Sequence, residues 1–234
     1  MMKLQNYAAI SAMLILLIHP LMASAASTAL ADSGAQTTFK TIDANHEPLP
    51  EKVRLSLEKL ASAQGFDCSF KQIIFYGDGS KQAYSGTLVM AKPGKFRWQY
   101  KTPYEQLYVS NGKGIWFYEP DLMQAQWMTS LDAVDPVIMR FLEGSLSTDS
   151  VHILPDEGLP GIYHIKLADG PTLWLALSES GNPQWLESED ALGNRNRMVL
   201  DNMNFALPKA SVFVFEPPEG VEVIEYADQI EINE

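Results

Sequence analysis

The stretch Ser85 to Tyr100, S-G-T-L-V-M-A-K-P-G-K-F-R-W-Q-Y, decides the fold. Its second half alternates, with Phe96, Trp98 and Tyr100 on one side of an extended chain and Lys95, Arg97, Gln99 and Lys101 on the other. That is the period of two a strand requires. Lys92-Pro93-Gly94 is a turn, because proline fixes φ at one central position and glycine tolerates positive φ at the next. Thr87 to Ala91 should fold back on Phe96 to Lys101 as a hairpin with one large aromatic face.

Working outward, Val53, Leu57, Leu60 and Ala61 share one helical face between Pro50 and Ala63, with Gly65 as the stop. Phe66, Cys68 and Phe70 then alternate, the run continues to Tyr76, and Gly77-Asp78-Gly79-Ser80 turns into Gln82 to Ala91. Beyond the hairpin, Glu105 to Val109 and Gly114 to Glu119 flank Asn111-Gly112, a two-residue hairpin turn. Strands follow at Val151 to Leu154, Gly161 to Leu167, Thr172 to Leu177, Pro183 to Ser188, Arg197 to Leu207 and Val212 to Phe215.

One segment breaks this rhythm. Asp135 is a good N-cap, Pro136 suits the first helical position, and Val137, Ile138, Met139, Phe141 and Leu142 follow before Gly144. A surface helix should show a polar face, and this one has little besides Arg140, so it is buried or it plugs something. Short strands and tight turns predict a mainly β protein: one antiparallel sheet curling into an incomplete, half-open barrel. Two short, apolar-faced helices would close its concave side as a lid over a hydrophobic cavity.

Composition narrows the function. A formal charge of −12 leaves no basic face for nucleic acid. Lys3, the apolar run Ala8 to Ile18, Pro20 and Ala23-Ser24-Ala25 read as a cleaved signal peptide over residues 1–25, with a second cleavage option after Ala29-Leu30-Ala31. The apolar run is interrupted by His19 and Pro20 before reaching the roughly 20 residues a membrane span needs. Residues 26–47 look like a mobile leader to a single domain at 48–234. Cys68 is the one cysteine, so no intramolecular disulfide forms and no cysteine at the cleavage site is lipidated. An exported, unanchored chain without disulfides suits a periplasm.

No sequence pattern points to catalysis or to a metal, so the expectation is neither enzyme nor cofactor. His164 reads as structural or surface, Cys68 as a core thiol, and Asp121 and Asp135 as turn and cap. Glu119, Asp132, Glu187, Glu189 and Asp190 read as solvated acids. An exported hydrolase has only these scattered groups behind it. The rings Phe96, Trp98, Tyr100, Trp116 and Tyr118 could fill a closed core or line a cavity, and composition puts core ahead.

S-G-T-L-V-M-A-K-P-G-K-F-R-W-Q-Y, V-S-N-G-K-G-I-W-F-Y-E-P-D-L, D-P-V-I-M-R-F-L and F-V-F-E-P-P-E-G-V-E-V, in this order, resemble the periplasmic lipoprotein carriers of the LolA type. The resemblance implies a non-enzymatic, monomeric carrier whose cavity holds the acyl chains of lipoproteins. Its implied partners are an inner-membrane ABC-type lipoprotein-releasing complex and an outer-membrane, LolB-like receptor. That receptor is itself lipid-anchored, which the cysteine-free cleavage site argues against here. The candidate lipid-binding residues are Leu88, Met90, Phe96, Trp98, Tyr100, Trp116, Val137, Ile138, Phe141 and Leu142. Lys92 stands where the family usually has an arginine that tethers the lid to backbone carbonyls. Lysine lacks the planar fork, so a latch here would be looser or built differently. The same half-barrel also serves as a sensing or interaction module in envelope-stress regulators, a second possibility that the lack of a further domain disfavours.

Overall fold

The alternation on either side of the Lys92-Pro93-Gly94 turn builds two strands of one large sheet, and Gly94 takes the positive φ that the turn demands. The computed structural model describes residues 49–129, 135–154, 161–168 and 171–225. The signal peptide, the leader and Asp132 lie outside them. In chain order the elements are α1 (Glu51–Ser62), β1 (Gly65–Phe75), β2 (Lys81–Ala91), β3 (Lys95–Thr102), β4 (Gln106–Asn111), β5 (Ile115–Glu119) and β6 (Gln124–Met128). They continue as α2 (Pro136–Leu142), β7 (Val151–Ile153), β8 (Ile162–Leu167), β9 (Thr172–Leu177), β10 (Pro183–Glu189), β11 (Arg195–Asn204) and β12 (Glu222–Glu225).

The twelve strands form one sheet in the order β12-β6-β5-β4-β3-β2-β1-β11-β10-β9-β8-β7. Among the described residues no pairing joins β12 to β7, so the sheet stays an open, incomplete barrel. It is antiparallel except at one end, where β12 runs parallel to β6. Both strands are additions to the sequence reading. Val212 to Phe215 is a correction: it pairs with no strand, and its start forms a 3-10 turn at Ala210–Phe213 that packs on β3 and β4. The Asn111-Gly112 turn is longer than expected, because the last pair before it is Ser110 with Ile115.

Helix α1 buries Val53, Leu57 and Leu60 as its periodicity requires, but Ala61 is exposed and Ser56 takes a buried place instead. The helix ends before Gly65, which opens β1. A Cβ at Gly65 would lie 2.4 Å from the Met90 carbonyl oxygen, so the glycine permits close approach of two strands and is no helix stop. Both helices face one side of the sheet. Val53, Leu57 and Leu60 of α1 and Ile138, Phe141 and Leu142 of α2 merge into one apolar cluster with Phe70, Leu88, Phe96 and Trp98 of the sheet. Cys68 is in this cluster, its thiol pushed up to about 12 by burial first and then by Asp67 and Asp201. It is an inert core thiol.

Candidate functional site

Strand β3 supplies the middle of the inner wall. Its direct cross-strand pairs are Phe96 with Met90, Trp98 with Leu88 and Trp98 with Tyr108, and Tyr108 in turn faces Phe117 on β5. Pairs directly opposite share a face, so these residues form one continuous apolar strip. The rings lock together: Trp98 lies 5.7 Å edge-on from Phe70 and stacks at 6.1 Å and 14° on Tyr100, which itself meets Phe70 and Tyr84 edge-on. Leu88, Met90, Phe96, Trp98 and Tyr100 are therefore gathered on one wall.

Trp116 is not. It pairs with Val109, itself opposite Arg97, and so lies on the outer face, packed against Trp127 and Phe215. This corrects its place among the candidate lining residues. Phe117 and Tyr108 take the inner positions that the sequence reading overlooked. The segment I-W-F-Y is apolar in both strand phases, so its alternation does not say which phase is inside.

The opposite wall is α2. Ile138 and Phe141 are 0% exposed, Leu142 is buried, and Val137 is half-buried. A helix of seven residues is too short to hold itself together, so its two ends matter. At the N-terminal end, Asp135 Oδ1 accepts hydrogen bonds from the backbone N–H groups of Val137 and Ile138 at 2.9 and 3.1 Å. Its other oxygen, Oδ2, accepts from the Ser188 hydroxyl and from Asn196 Nδ2. Gln72 Nε2 donates to Asn196 Oδ1 at 2.9 Å, and the Tyr100 hydroxyl donates to Gln72 Oε1 at 3.0 Å. A polar row thus ties the cap of α2 to the aromatic wall. Asp135→Ala is expected to cost about 1–2 kcal/mol, the usual value of such a cap. Denaturant unfolding measures it, and an unchanged midpoint would show that the row carries no weight.

At the C-terminal end, Gly144 has φ +63, and a Cβ there would lie 2.4 Å from the Leu60 carbonyl. Only glycine lets α2 finish against the end of α1. Lys92 meets the same junction: its Nζ donates to the carbonyl oxygens of Leu60 at 2.5 Å and Ala61 at 2.8 Å. These are among the last carbonyls of a helix, which lack partners along the helix and attract cations. Burial lowers the Lys92 ammonium from its ordinary value while Glu143 pulls it back up, and burial raises the Glu143 carboxyl while Lys92 holds it down. The lysine therefore grips two carbonyls at the end of α1.

Between the walls, Ile138, Phe141 and Leu142 share one apolar cluster with Phe70, Leu88, Phe96 and Trp98. A recess beside Lys92, lined also by Leu60, Phe66, Met90, Leu142 and Glu143, encloses about 10 Å³. That is about the room one water needs.

The other candidate groups have structural work. Glu187 is 3% exposed and bridged by Arg197 at 2.6 Å and Arg195 at 3.3 Å, which corrects its reading as a solvated acid. His164 stacks on Trp174 at 4.2 Å across β8 and β9. Asp190 accepts from the backbone of Leu192 and Asn194 in a turn. Among the described residues no group of three or more His, Cys, Asp or Glu side chains could hold a metal ion.

Known proteins resemble this chain. The family described as "Outer membrane lipoprotein carrier protein LolA" matches residues 61–216, from the end of α1 to just past the 3-10 turn at Ala210–Phe213. The outer-membrane lipoprotein carrier protein of Bordetella pertussis is 37% identical over 172 residues, covering 70% of this chain and 82% of that one. Its counterpart in Methylococcus capsulatus is 31% identical over 176 residues, covering 71% and 84%. A solved LolA superfamily protein from Nitrosomonas europaea superposes with a TM-score of 0.43 and 15% identity over 70% of this chain and 97% of that one. With a matching family spanning most of the described fold and relatives above 30% identity, the chain belongs to the LolA family of outer-membrane lipoprotein carrier proteins.

Proposed function

We propose that this protein is a periplasmic carrier that shelters the acyl chains of lipoproteins released from the inner membrane and delivers them to an outer-membrane receptor. The observation that carries the reading is the construction of α2. It is apolar nearly all round, it fills the interior with Ile138, Phe141 and Leu142, and its N-terminal end is anchored by polar contacts that can be remade. Such an element can leave the interior and return to it. Membership of a carrier family supports the same reading.

The energetics explain why the interior should be self-filled. Burying a methylene is worth about 0.8 kcal/mol, so three acyl chains of roughly 14–16 carbons would gain on the order of 30 kcal/mol gross. A carrier that kept all of it could not release its cargo. When cargo must displace Ile138, Phe141 and Leu142, the free energy of the closed form is subtracted from its binding. Loading becomes reversible, and no catalytic step is required.

On this reading residues 1–25 direct export and are removed. The donor is an ATP-driven releasing complex in the inner membrane, and the acceptor is a LolB-like receptor. Mature protein purified from the periplasm and analysed by mass spectrometry should carry triacylated or diacylated lipoproteins. Mixed with inner membranes and ATP, it should bring lipoproteins into the soluble fraction. If neither lipoprotein nor acyl ligand accompanies the protein when the releasing complex is active, the carrier reading fails.

A further inference from the structure

Trp98 is 1% exposed, and its indole Nε1–H is buried without a hydrogen-bond partner. Among the described residues no acceptor reaches it. Phe70 and the stacked Tyr100 are its ring neighbours, and the Tyr100 hydroxyl is already committed to Gln72. The carbonyls of β2, β3 and β4 are engaged in the sheet ladder at this point. A buried donor left unpaired costs about 1–3 kcal/mol, and phenylalanine would fill a purely apolar position without that cost. The closed form thus holds a donor that only a different occupant can satisfy.

We infer that the Trp98 indole N–H donates to an acyl carbonyl of bound cargo, so that Trp98 fixes the depth at which the acyl heads sit. The inference rests on the carrier reading. Methylene chains cannot accept a hydrogen bond, and in an acylated protein terminus the oxygens nearest the chains are the carbonyls that attach them. The polar row of Tyr100, Gln72, Asn196, Ser188 and Asp135 lies next to Trp98 on the inner side, whereas Phe96 and Met90 continue the apolar wall in the other direction. An acyl chain lying along β3 with its tail towards Phe96 brings its carbonyl to the indole and its more polar end to this row. Two carbonyl types share this chemistry, the glycerol esters and the amide on the terminal nitrogen.

Three synthetic lipopeptides with equal chain lengths separate them: a diester diacyl form, its diether analogue, and the diether carrying one N-acyl amide. Trp98→Phe keeps an aromatic ring and removes the donor. It should weaken binding of the diester about tenfold and leave the diether unchanged if an ester is recognised. If the amide is recognised, only the N-acylated diether weakens. Equal weakening of all three, or of none, overturns the inference. Failure of the unmodified protein to bind any of the three would instead bring down the carrier reading itself. A measurement on the unmodified protein guards against a variant that folds badly. The indole N–H band in ultraviolet resonance Raman should shift to its hydrogen-bonded position with the recognised lipopeptide and stay put with the plain diether. No shift with any bound lipopeptide also overturns it.

Discussion

Phe141→Glu should detach α2 from the sheet and leave the sheet folded. Truncating a fully buried phenylalanine costs about 3–5 kcal/mol, and placing a carboxylate in the same apolar site adds to it. Phe141 is 0% exposed in the cluster that contains Leu57, Leu60 and Trp98, so the charge has no water to turn to while the helix stays down. A seven-residue helix has little stability of its own to resist. The strand ladders do not pass through it, and α1 remains in place over β9. Hydrogen exchange should therefore lose protection across 136–142 while β2 and β3 keep theirs. Cargo binding should tighten and delivery should slow, because the closed form no longer competes. Cooperative unfolding of the whole domain would show instead that α2 is ordinary core.

Lys92→Ala should give the second largest change. It strands the carbonyls of Leu60 and Ala61 at the end of α1 and removes the cation that holds the Glu143 carboxyl down. Hydrogen bonds to a charged group are worth about 1.5–3 kcal/mol, and the half-buried position of Lys92 argues for the lower end. A loss of about 1.5 kcal/mol loosens the end of α1 against which Gly144 seats α2, and because that seat exists only in the closed form, retention of cargo should tighten, by up to about tenfold if the whole loss falls there. Lys92→Arg restores donors and should behave like the unmodified protein. Thermal melts and the rate of lipoprotein transfer to receptor-bearing vesicles test both. An alanine variant that melts and delivers normally would remove Lys92 from the mechanism.

The hairpin was readable because each requirement agreed: Phe96 and Trp98 alternate with charges, and Lys92-Pro93-Gly94 has one natural conformation. The cap at Asp135 was readable for the same reason, its chemistry being local. What escaped was non-local. Gln124–Met128 offers little apolar contrast, and Glu222–Glu225 becomes a strand only because β6 presents a parallel edge across nearly a hundred residues. Val212 to Phe215 has strand composition, but its start packs as a 3-10 turn on β3 and β4. Trp116 went to the wrong face because both phases of its strand are apolar. The two carbonyls gripped by Lys92 lie some thirty residues upstream and leave no mark in the sequence around the lysine.

The strand order also sets a schedule for folding. β1 lies between β2, its neighbour in the chain, and β11, where Ser69 reaches Asp201 across 132 residues. β2 to β6 can zip onto β1 one hairpin at a time, and β7 to β11 can do the same among themselves. The seam between these halves closes last, because its loop entropy is paid in full before any contact returns it. On the proposed reading, in which the chain is exported N-terminus first, one half-sheet can assemble early. Until residues near 200 have followed, that half keeps an open edge on β1 and an uncovered apolar face. The time between those events is when the chain is most exposed to aggregation, and on that reading the rate of export sets its length.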